Sequence, residues 1–200
     1  MYNPYRVVRE FEEMIAEYAG SKYAVAVDSC TNAIFLSCVY TDVFENRTWI
    51  PRYTYPSVAN SIMHAGGDVG FDDIEWSGVY QLFPHDIFDG ALRFQKGMYR
   101  GGFHCLSFHN KKHLNIGRGG MILTNNKKAY KWFKKARFDG RSEKPLEEDK
   151  LDMIGWNCYM TPDQAVRGIQ IFEVIKDKRL EDIAWRTQGY PDLSKLKIYK

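Results

Sequence analysis

Short apolar runs that could form buried strands alternate with stretches of helical periodicity along most of this chain. The strand candidates are rich in β-branched and aromatic side chains, and they read KYAVAVDS, RTWIP, DVGFD, GVYQLF, HDIFDG, FHCLSF and GMILTN. Strands that alternate with helices are typical of βαβ units, in which helices cover both faces of a sheet. The sequence therefore predicts an α/β fold, a three-layer sandwich with a mostly parallel central sheet.

The helices are predicted from apolar periodicity and from residues that begin or end helices. The first ends before Gly20, because glycine is the commonest residue just past a helix. Two more helices correspond to TNAIFLSCVY and SVANSIMHAGG, and the last two to residues 126–138 and 162–179. We expect a single domain, with an N-terminal helix (1–20), a sheet core (21–125) and a mostly helical end (126–200).

The composition narrows the class of protein. With 44% hydrophobic and 26% charged residues, the 200-residue chain is typical of globular proteins. Its net charge of +3 is too small to require a nucleic-acid partner. The sequence contains no secretion signal and no apolar run of membrane-spanning length, so we expect no membrane association. Four scattered cysteines without a C-x-x-C pair indicate reduced thiols, as in a cytoplasmic protein.

Polar and aromatic residues follow several candidate strands, at the edge where α/β sheets usually bind ligands. Thr31 and Asn32 begin a helix directly after a strand, which suits a phosphate group. Tyr55 offers an aromatic ring, Asp89 a carboxylate, and the lysine pair after SFHN an amine. A ring that lies on Tyr55, with Asp89 at a ring nitrogen and a lysine at its carbonyl, describes pyridoxal phosphate (PLP).

Four segments, in chain order, resemble those of the DegT/DnrJ-type sugar aminotransferases, which are fold-type I enzymes that use PLP. The segments are FEEMIAEYAGSKYAVAVDSCTNAIFLS, IPRYTYPSVANSIMHAGGDVGFDDI, SFHNKKHLNIGRGGMILTNN and GWNCYMTPDQAVRGIQ. The third is similar to the family's lysine segment, in which Ser-Phe-His-x-x-Lys precedes a glycine cluster and a strand. The resemblance implies an aminotransferase that moves an amino group from a donor amino acid, with glutamate expected, to a keto substrate such as a nucleotide-linked keto sugar.

The resemblance also implies a role for each matched residue near the lysine and the ring. Lys112, three residues after His109, would be the Schiff-base lysine and the base for proton transfer, and His109 would contact the cofactor. Asp89 would keep the pyridine nitrogen protonated. Tyr55 would stack on the ring, and Ala91 would pack on its opposite face. Lys112 and Asp89 are therefore the expected catalytic residues.

A second set of residues is expected around the cofactor's phosphate. The resemblance gives this role to Thr31, Asn32 and Ser107, with Cys30 beside them. Asn157 matches an asparagine that in the family reaches the phosphate across a dimer interface. The resemblance thus implies an obligate homodimer with shared active sites.

The chain also departs from the family pattern. Cys30 stands where the family has a glycine, and Leu92 where it has a glutamine or histidine. Arg118 replaces a glutamate of the family, and Tyr159 replaces an arginine. The stretch between Asp73 and Asp89 is shorter than in the family. Since a parallel crossover needs about a dozen residues, this part of the sheet must be trimmed or rearranged. The family's smaller C-terminal domain is expected to be absent.

Other interpretations of the same residues stay open. Adjacent lysines point in different directions, so only one of the pair can face a ring, and either could be solvated. Gly117, Gly119 and Gly120 precede a strand and indicate a turn, since a nucleotide P-loop would precede a helix. The histidine spacing fits no standard zinc pattern, so no metal is expected. Three functions remain: an aminotransferase, a non-catalytic relative that binds PLP or a partner, and a nucleic-acid-binding protein that uses the lysine-rich helix at 127–135.

Overall fold

A computed structural model describes residues 3–200, and in this part of the chain seven strands form two sheets. The strands are β1 (Tyr23–Val27), β2 (Arg47–Pro51), β3 (Asp68–Asp72), β4 (Tyr80–Gln81), β5 (Ile87–Asp89), β6 (Phe103–Ser107) and β7 (Gly120–Thr124). The α-helices are α1 (Arg6–Ala19), α2 (Cys30–Tyr40), α3 (Pro56–His64), α4 (Lys127–Ala136) and α5 (Pro162–Ile175). Helices and strands alternate from α1 to β3; the strands β4 to β7 then follow one another, and α4 and α5 come last.

The larger sheet has the strand order β1-β7-β6-β5-β4, and β2 and β3 form a parallel pair beside it. β6 and β5 are parallel, whereas β7 runs antiparallel to both β1 and β6, and β4 runs antiparallel to β5. Backbone hydrogen bonds between Trp49 and Phe83 link the two sheets. The α/β class is confirmed. The larger sheet is mixed, because β7 and β4 run against the common direction of its other three strands.

The rearrangement expected between Asp73 and Asp89 takes the form of a hairpin. β4 and β5 pair antiparallel, with Tyr80 opposite Asp89 and Gln81 opposite Phe88. A parallel strand at this place would need a helical crossover, for which the chain between β3 and β5 is too short. An antiparallel hairpin needs only a tight connection, so the short β4 fills this position of the sheet.

Apolar side chains of the sheet alternate between two cores, one on each face. Along β1, Val25 and Val27 pack with α2 and α4, while Ala24 and Ala26 pack with α1 and α5. Phe133 lies in the first core and Phe11 in the second, and both are fully buried. Alternate side chains of β1 thus pack into the two cores on opposite faces of the sheet, which confirms the three-layer sandwich.

A buried ion cluster joins α1, β1 and the end of α4. Glu12 contacts Arg137, and its other oxygen accepts from Lys134 Nζ at 2.9 Å. The backbone of Ala26 in β1 donates to Glu12 and accepts from Arg137. Burial alone would raise the pKa of Glu12, but the two cations and the Ala26 N–H hold it below its usual value. The cluster fixes β1, which leads directly into α2.

Two boundaries in the last third differ from the sequence prediction. α4 begins after Asn126, whose side chain accepts from the N–H groups of Lys128 and Ala129, and α5 ends at Ile175. The sequence predicts a mostly helical end, but beyond α4 and α5 the chain forms only loops and single 3₁₀ turns. The charged residues after Ile175 lie outside the helix, and one of them, Asp182, pairs with Arg93. Within residues 3–200, no helix combines the length and apolar character needed to cross a bilayer.

Candidate active site

A cavity of about 330 Å³ lies at the carboxyl ends of β1, β5 and β6. The first turns of α2 and α3 also line it. Eight of the ten residues predicted to contact the cofactor line it: Cys30, Thr31, Tyr55, Asp89, Ala91, Ser107, His109 and Lys112. These residues come from four separate segments of the chain. The fold therefore brings together most of the site that the sequence predicts.

Hydroxyl groups and helix starts meet at one end of the cavity. Ser29 caps α2 by accepting from the Asn32 N–H at 3.2 Å, and Thr31 Oγ1 donates to Ser57 Oγ at 2.9 Å. Ser107 also lines this cavity. The first N–H groups of a helix have no partner inside the helix and carry its positive dipole end. This corner can therefore bind a phosphate. Ser57 is missed by the sequence interpretation, although its place in the first turn of a predicted helix is a signal.

The glycine cluster lets β7 pass beneath the start of α2. A Cβ atom on Gly120 would overlap the carbonyl carbon of Ser29, and one on Gly119 would lie 2.7 Å from a methyl group of Ile116. At Gly120 the overlap is with backbone atoms, so no side chain fits there; at Gly119 the neighbours are the ends of side chains, which would have to move. The glycines thus allow close packing under the candidate phosphate corner, in agreement with a turn that leads into a strand.

Asp89 is the buried carboxylate of the cavity. Its Oδ1 accepts from the Ala91 N–H at 2.9 Å, and its Oδ2 accepts from the Tyr80 hydroxyl at 2.9 Å. Burial raises the pKa of Asp89, while the Ala91 N–H, the Tyr80 hydroxyl and the charge of Lys112 act in the opposite direction. Asp89 is thus fixed in orientation and available to a cationic group. Tyr80 is missed by the sequence interpretation, because nothing local places it near Asp89.

The two adjacent lysines have different environments, although both line the cavity. Lys111 is exposed, whereas Lys112 is half-buried beside Asp89 and Cys30. A backbone hydrogen bond of 2.8 Å from Lys112 to His109 closes the turn that holds it. Burial lowers the pKa of Lys112, against the charge of Asp89, and Lys111 lowers it further. A lowered pKa increases the fraction of neutral, nucleophilic amine.

Cys30 places a thiol where the family pattern has no side chain. Its Sγ lies 3.5 Å from the Cys105 carbonyl oxygen and 4.0 Å from Asp89 Oδ1. Burial raises the pKa of the Cys30 thiol well above its usual value, and the Asp89 charge adds to this effect. The thiol therefore stays neutral, and it narrows the cavity between the phosphate corner and Asp89.

Asn32 points away from the cavity and into an ion pair on its rim. Its Nδ2 donates to Asp28 Oδ1 at 2.6 Å, and Arg118 Nη2 donates to Asp28 Oδ2 at 2.7 Å. Arg118 lines the cavity, but Asn32 does not. The side chain of Asn32 therefore orients Asp28 and Arg118. Only its backbone N–H takes part in the start of α2.

Asn157 also lies outside the cavity of the single chain. It is exposed, and its Nδ2 donates to Asp139 at 3.0 Å. Tyr159, at the family's arginine position, packs edge-on against Tyr5 and Phe138. Within the single chain, Asn157 therefore does not contact this cavity.

The C-terminal segment supplies a wall of the cavity that the sequence does not predict. We define the C-terminal strap as residues 185–200. Its Gln188 and Tyr190 line the cavity, and the ring of Tyr190 lies 6.2 Å from that of Tyr55. Burial raises the pKa of Tyr190, and the nearby Asp89 charge adds to this. The strap thus contributes to the cavity lining beside Tyr55.

The histidines and the lysine-rich helix have separate local environments. His104 lies between Phe88 and Tyr99, where burial lowers its pKa to about 4, and His113 contacts the Glu181 carbonyl oxygen. Among residues 3–200, no group of three or more metal-ligating side chains comes together. The underside of α4 is buried through Phe133. The lysine-rich helix is therefore an amphipathic surface helix.

Comparison with known proteins agrees with this geometry. The model of the DegT/DnrJ/EryC1/StrS aminotransferase family matches residues 1–87 and 95–184. SpsC of Bacillus subtilis, a spore coat polysaccharide biosynthesis protein, is 39% identical over 90% of this chain and 60% of its own length. UDP-4-amino-4,6-dideoxy-N-acetyl-beta-L-altrosamine transaminase of Campylobacter jejuni is 23% identical over 96% of this chain and 65% of its own.

A solved structure shares the fold. Spr1654 of Streptococcus pneumoniae, in its PLP form, superimposes with a TM-score of 0.70 at 16% identity, over 84% of this chain and 58% of that one. The chain therefore spans about two thirds or less of the length of these proteins. With a family match over most of its residues, this chain belongs to the DegT/DnrJ/EryC1/StrS aminotransferase family.

Proposed function

We propose that this chain binds PLP and transfers an amino group from an amino acid, with glutamate as donor, to a keto group of a nucleotide-linked sugar. One observation carries the proposal: a half-buried lysine, a buried carboxylate and a hydroxyl-rich helix start meet in one cavity. The relatives support it, since one is named as a transaminase of a UDP-linked amino sugar and another has a PLP form.

The donor groups around the cavity fit PLP. Its phosphate would be held by the first turn of α2 and by the hydroxyls of Thr31, Ser57 and Ser107. Asp89 would face the pyridine nitrogen, and Lys112 would bond to the aldehyde carbon. Tyr55 would lie against the ring. A cavity that offers an anion site, an acceptor and an amine has the three groups that this cofactor needs.

When bound, PLP supplies an aldehyde that condenses with amines and a pyridine ring that withdraws electrons from the bonds of the condensed amine. Lys112 would provide the first amine and, once displaced by the donor amino acid, would carry a proton from one carbon to another. Its lowered pKa suits this work, because a base must be neutral near the operating pH to accept a proton.

Asp89 would hold a proton on the pyridine nitrogen. A cation placed against the carboxylate favours its charged form and so offsets the cost of its burial. The two hydrogen bonds from Ala91 and Tyr80 keep the carboxylate from turning away. Asp89 would thereby maintain the ring's ability to withdraw electrons.

A second candidate is a relative that binds PLP without turnover. Leu92 favours it, because a fully buried leucine occupies a position at which the family pattern has a polar residue. The thiol of Cys30 also narrows the cavity. Both candidates need the same cofactor, so they differ only in whether amino-group transfer takes place after the cofactor has bound.

Absorption spectroscopy tests both candidates. Purified protein mixed with PLP should show the visible band of the lysine-bound cofactor, and Lys112→Ala should abolish it. Lys111→Ala is the matched control, because it removes the exposed neighbour, and its band should persist. Bleaching of the wild-type band by glutamate supports transfer over simple binding. Absence of a band in the wild type would contradict both candidates.

We also propose that two copies pair around Asn157, so that each contributes to the other's site. Exposed apolar side chains precede Asn157 in the chain, with Leu151 and Ile154 exposed by 65% and 88%. Sedimentation should give twice the mass of the single chain, and Ile154→Lys should shift it toward the monomer. Val174→Lys, which changes an exposed apolar residue of α5, is the control. A monomeric wild type would contradict this proposal.

A further inference from the structure

Tyr80 lies directly across the β4–β5 hairpin from Asp89. The antiparallel register pairs the two residues, and side chains of such a pair lie on the same face of a sheet. The Tyr80 hydroxyl is 2.9 Å from Asp89 Oδ2 and 2.6 Å from Thr54 Oγ1. All three side chains are buried. The short hairpin therefore creates a buried chain of hydrogen bonds that ends on the carboxylate.

The direction of this chain follows from the chemistry of its members. A carboxylate can only accept hydrogen bonds, so the Tyr80 O–H donates to Asp89. The Tyr80 oxygen can then accept, and the Thr54 hydroxyl is its donor. Thr54 lies in the connection between β2 and α3, next to Tyr55. The Tyr80 hydroxyl thus links Asp89 in β5 to the connection that carries Tyr55.

Few groups around Asp89 favour its charged form. The titratable side chains that face it are Cys30, Tyr80, Cys105, Lys112 and Tyr190. Burial keeps the thiols and the Tyr190 phenol neutral, so among these side chains Tyr80 and Lys112 stabilise the carboxylate, together with the backbone N–H of Ala91. Lys112 is needed for covalent chemistry in the proposed function. Tyr80 is then the side chain that holds Asp89 throughout.

We propose that Tyr80 is a positioning residue that orients Asp89 and keeps it ionised toward the cofactor's ring nitrogen, and that Thr54 orients Tyr80. The inference rests on the proposed function for the ring nitrogen, but the effect of Tyr80 on Asp89 exists without the cofactor. Two anchors on Asp89, one on each oxygen, fix the plane of the carboxylate. Loss of the Tyr80 anchor frees Oδ2 and removes a charge-stabilising donor.

The first experiment measures the carboxyl pKa of Asp89 in the cofactor-free protein by ¹³C NMR, with Asp89→Asn to identify its signal. Tyr80→Phe keeps the ring and removes the hydroxyl, so the pKa of Asp89 should rise by about one pH unit, the effect of one hydrogen bond to a charged group. Thr54→Val should raise it by less. Thr54→Val also keeps the test valid if Tyr80→Phe does not fold.

Tyr99→Phe is the matched control. Tyr99 is similarly buried, and its hydroxyl donates to the Gly102 carbonyl and accepts from the Asn125 N–H, outside the cavity. This variant should leave the Asp89 titration unchanged. An Asp89 pKa that is the same in wild type, Tyr80→Phe and Thr54→Val would overturn the proposal.

The second experiment measures PLP affinity against pH by equilibrium dialysis. Tyr80→Phe should bind PLP roughly tenfold more weakly, with the loss greatest at low pH, where its Asp89 is protonated. Equal affinity at every pH would overturn the role toward the ring nitrogen. If the wild type binds no PLP but the NMR shift is present, the proposed function fails while the effect of Tyr80 on Asp89 stands.

Discussion

The two sides of the cavity differ in how the chain builds them. One side, the cofactor wall, consists of residues 29–31, 89–91 and 107–112, which follow strands β1, β5 and β6. The other side is the C-terminal strap, which begins after the last residue of the family match. The positions of the residues in the cofactor wall are determined by the ends of these strands. The strap depends on contacts with the connection between β2 and α3, far away in sequence.

Several contacts hold the strap against that connection. Trp185 stacks on Tyr53 at 5.5 Å, and the Leu193 N–H donates to the Arg52 carbonyl oxygen at 2.9 Å. Leu193 is fully buried. Since the same connection carries Tyr55, the strap is fixed relative to the residue proposed to lie against the ring. We therefore propose that the cofactor contacts the cofactor wall and that the strap faces the substrates.

The largest effect is expected from a change in the cofactor wall. Asp89→Asn removes the charge that would hold a proton on the ring nitrogen, so kcat/KM should fall on the order of a hundredfold or more, as after the loss of an electrostatic catalytic group. PLP affinity, measured by dialysis, should fall as well. Asp86→Asn, an exposed aspartate outside this cavity, is the control. Full activity of Asp89→Asn would place the ring nitrogen elsewhere.

An intermediate effect is expected from loosening the strap. Leu193→Ala leaves a hole in a fully buried position and should cost about 2–5 kcal/mol of unfolding free energy, measured by denaturant titration. KM for the amino donor should rise several-fold while the PLP band remains. Ile198→Ala changes an exposed residue of the same strap and should alter stability by less than about 0.5 kcal/mol. Loss of the PLP band in a folded Leu193→Ala would show that the strap also belongs to the cofactor wall.

The same contrast explains what the sequence could predict. Strands such as RTWIP and DVGFD coincide with β2 and β3, because apolar β-branched runs encode a buried strand locally. Asp89 and the lysine pair are located from candidate strand ends, and the resemblance to the family selects Lys112 of the pair. Tyr80 and Tyr190 could not be predicted, since their positions depend on the register of a two-residue strand and on the path of an irregular segment. Local patterns carry no information on such long-range contacts.

The smallest effect is expected at Arg118, an exposed residue of the cavity lining. Its side chain is 69% exposed and pairs with Asp28, so Arg118→Gln should change the unfolding free energy by no more than about 1 kcal/mol. If the cation faces an anionic substrate, KM should rise a few-fold at low salt, and the difference should shrink at high salt as the charge is screened. Arg100→Gln, which changes an exposed arginine outside the cavity, should leave KM unchanged at both salt concentrations. A KM for Arg118→Gln that equals the wild-type value at low salt would limit Arg118 to orienting Asp28, and substrate charge would then be recognised by Lys111 or by the strap.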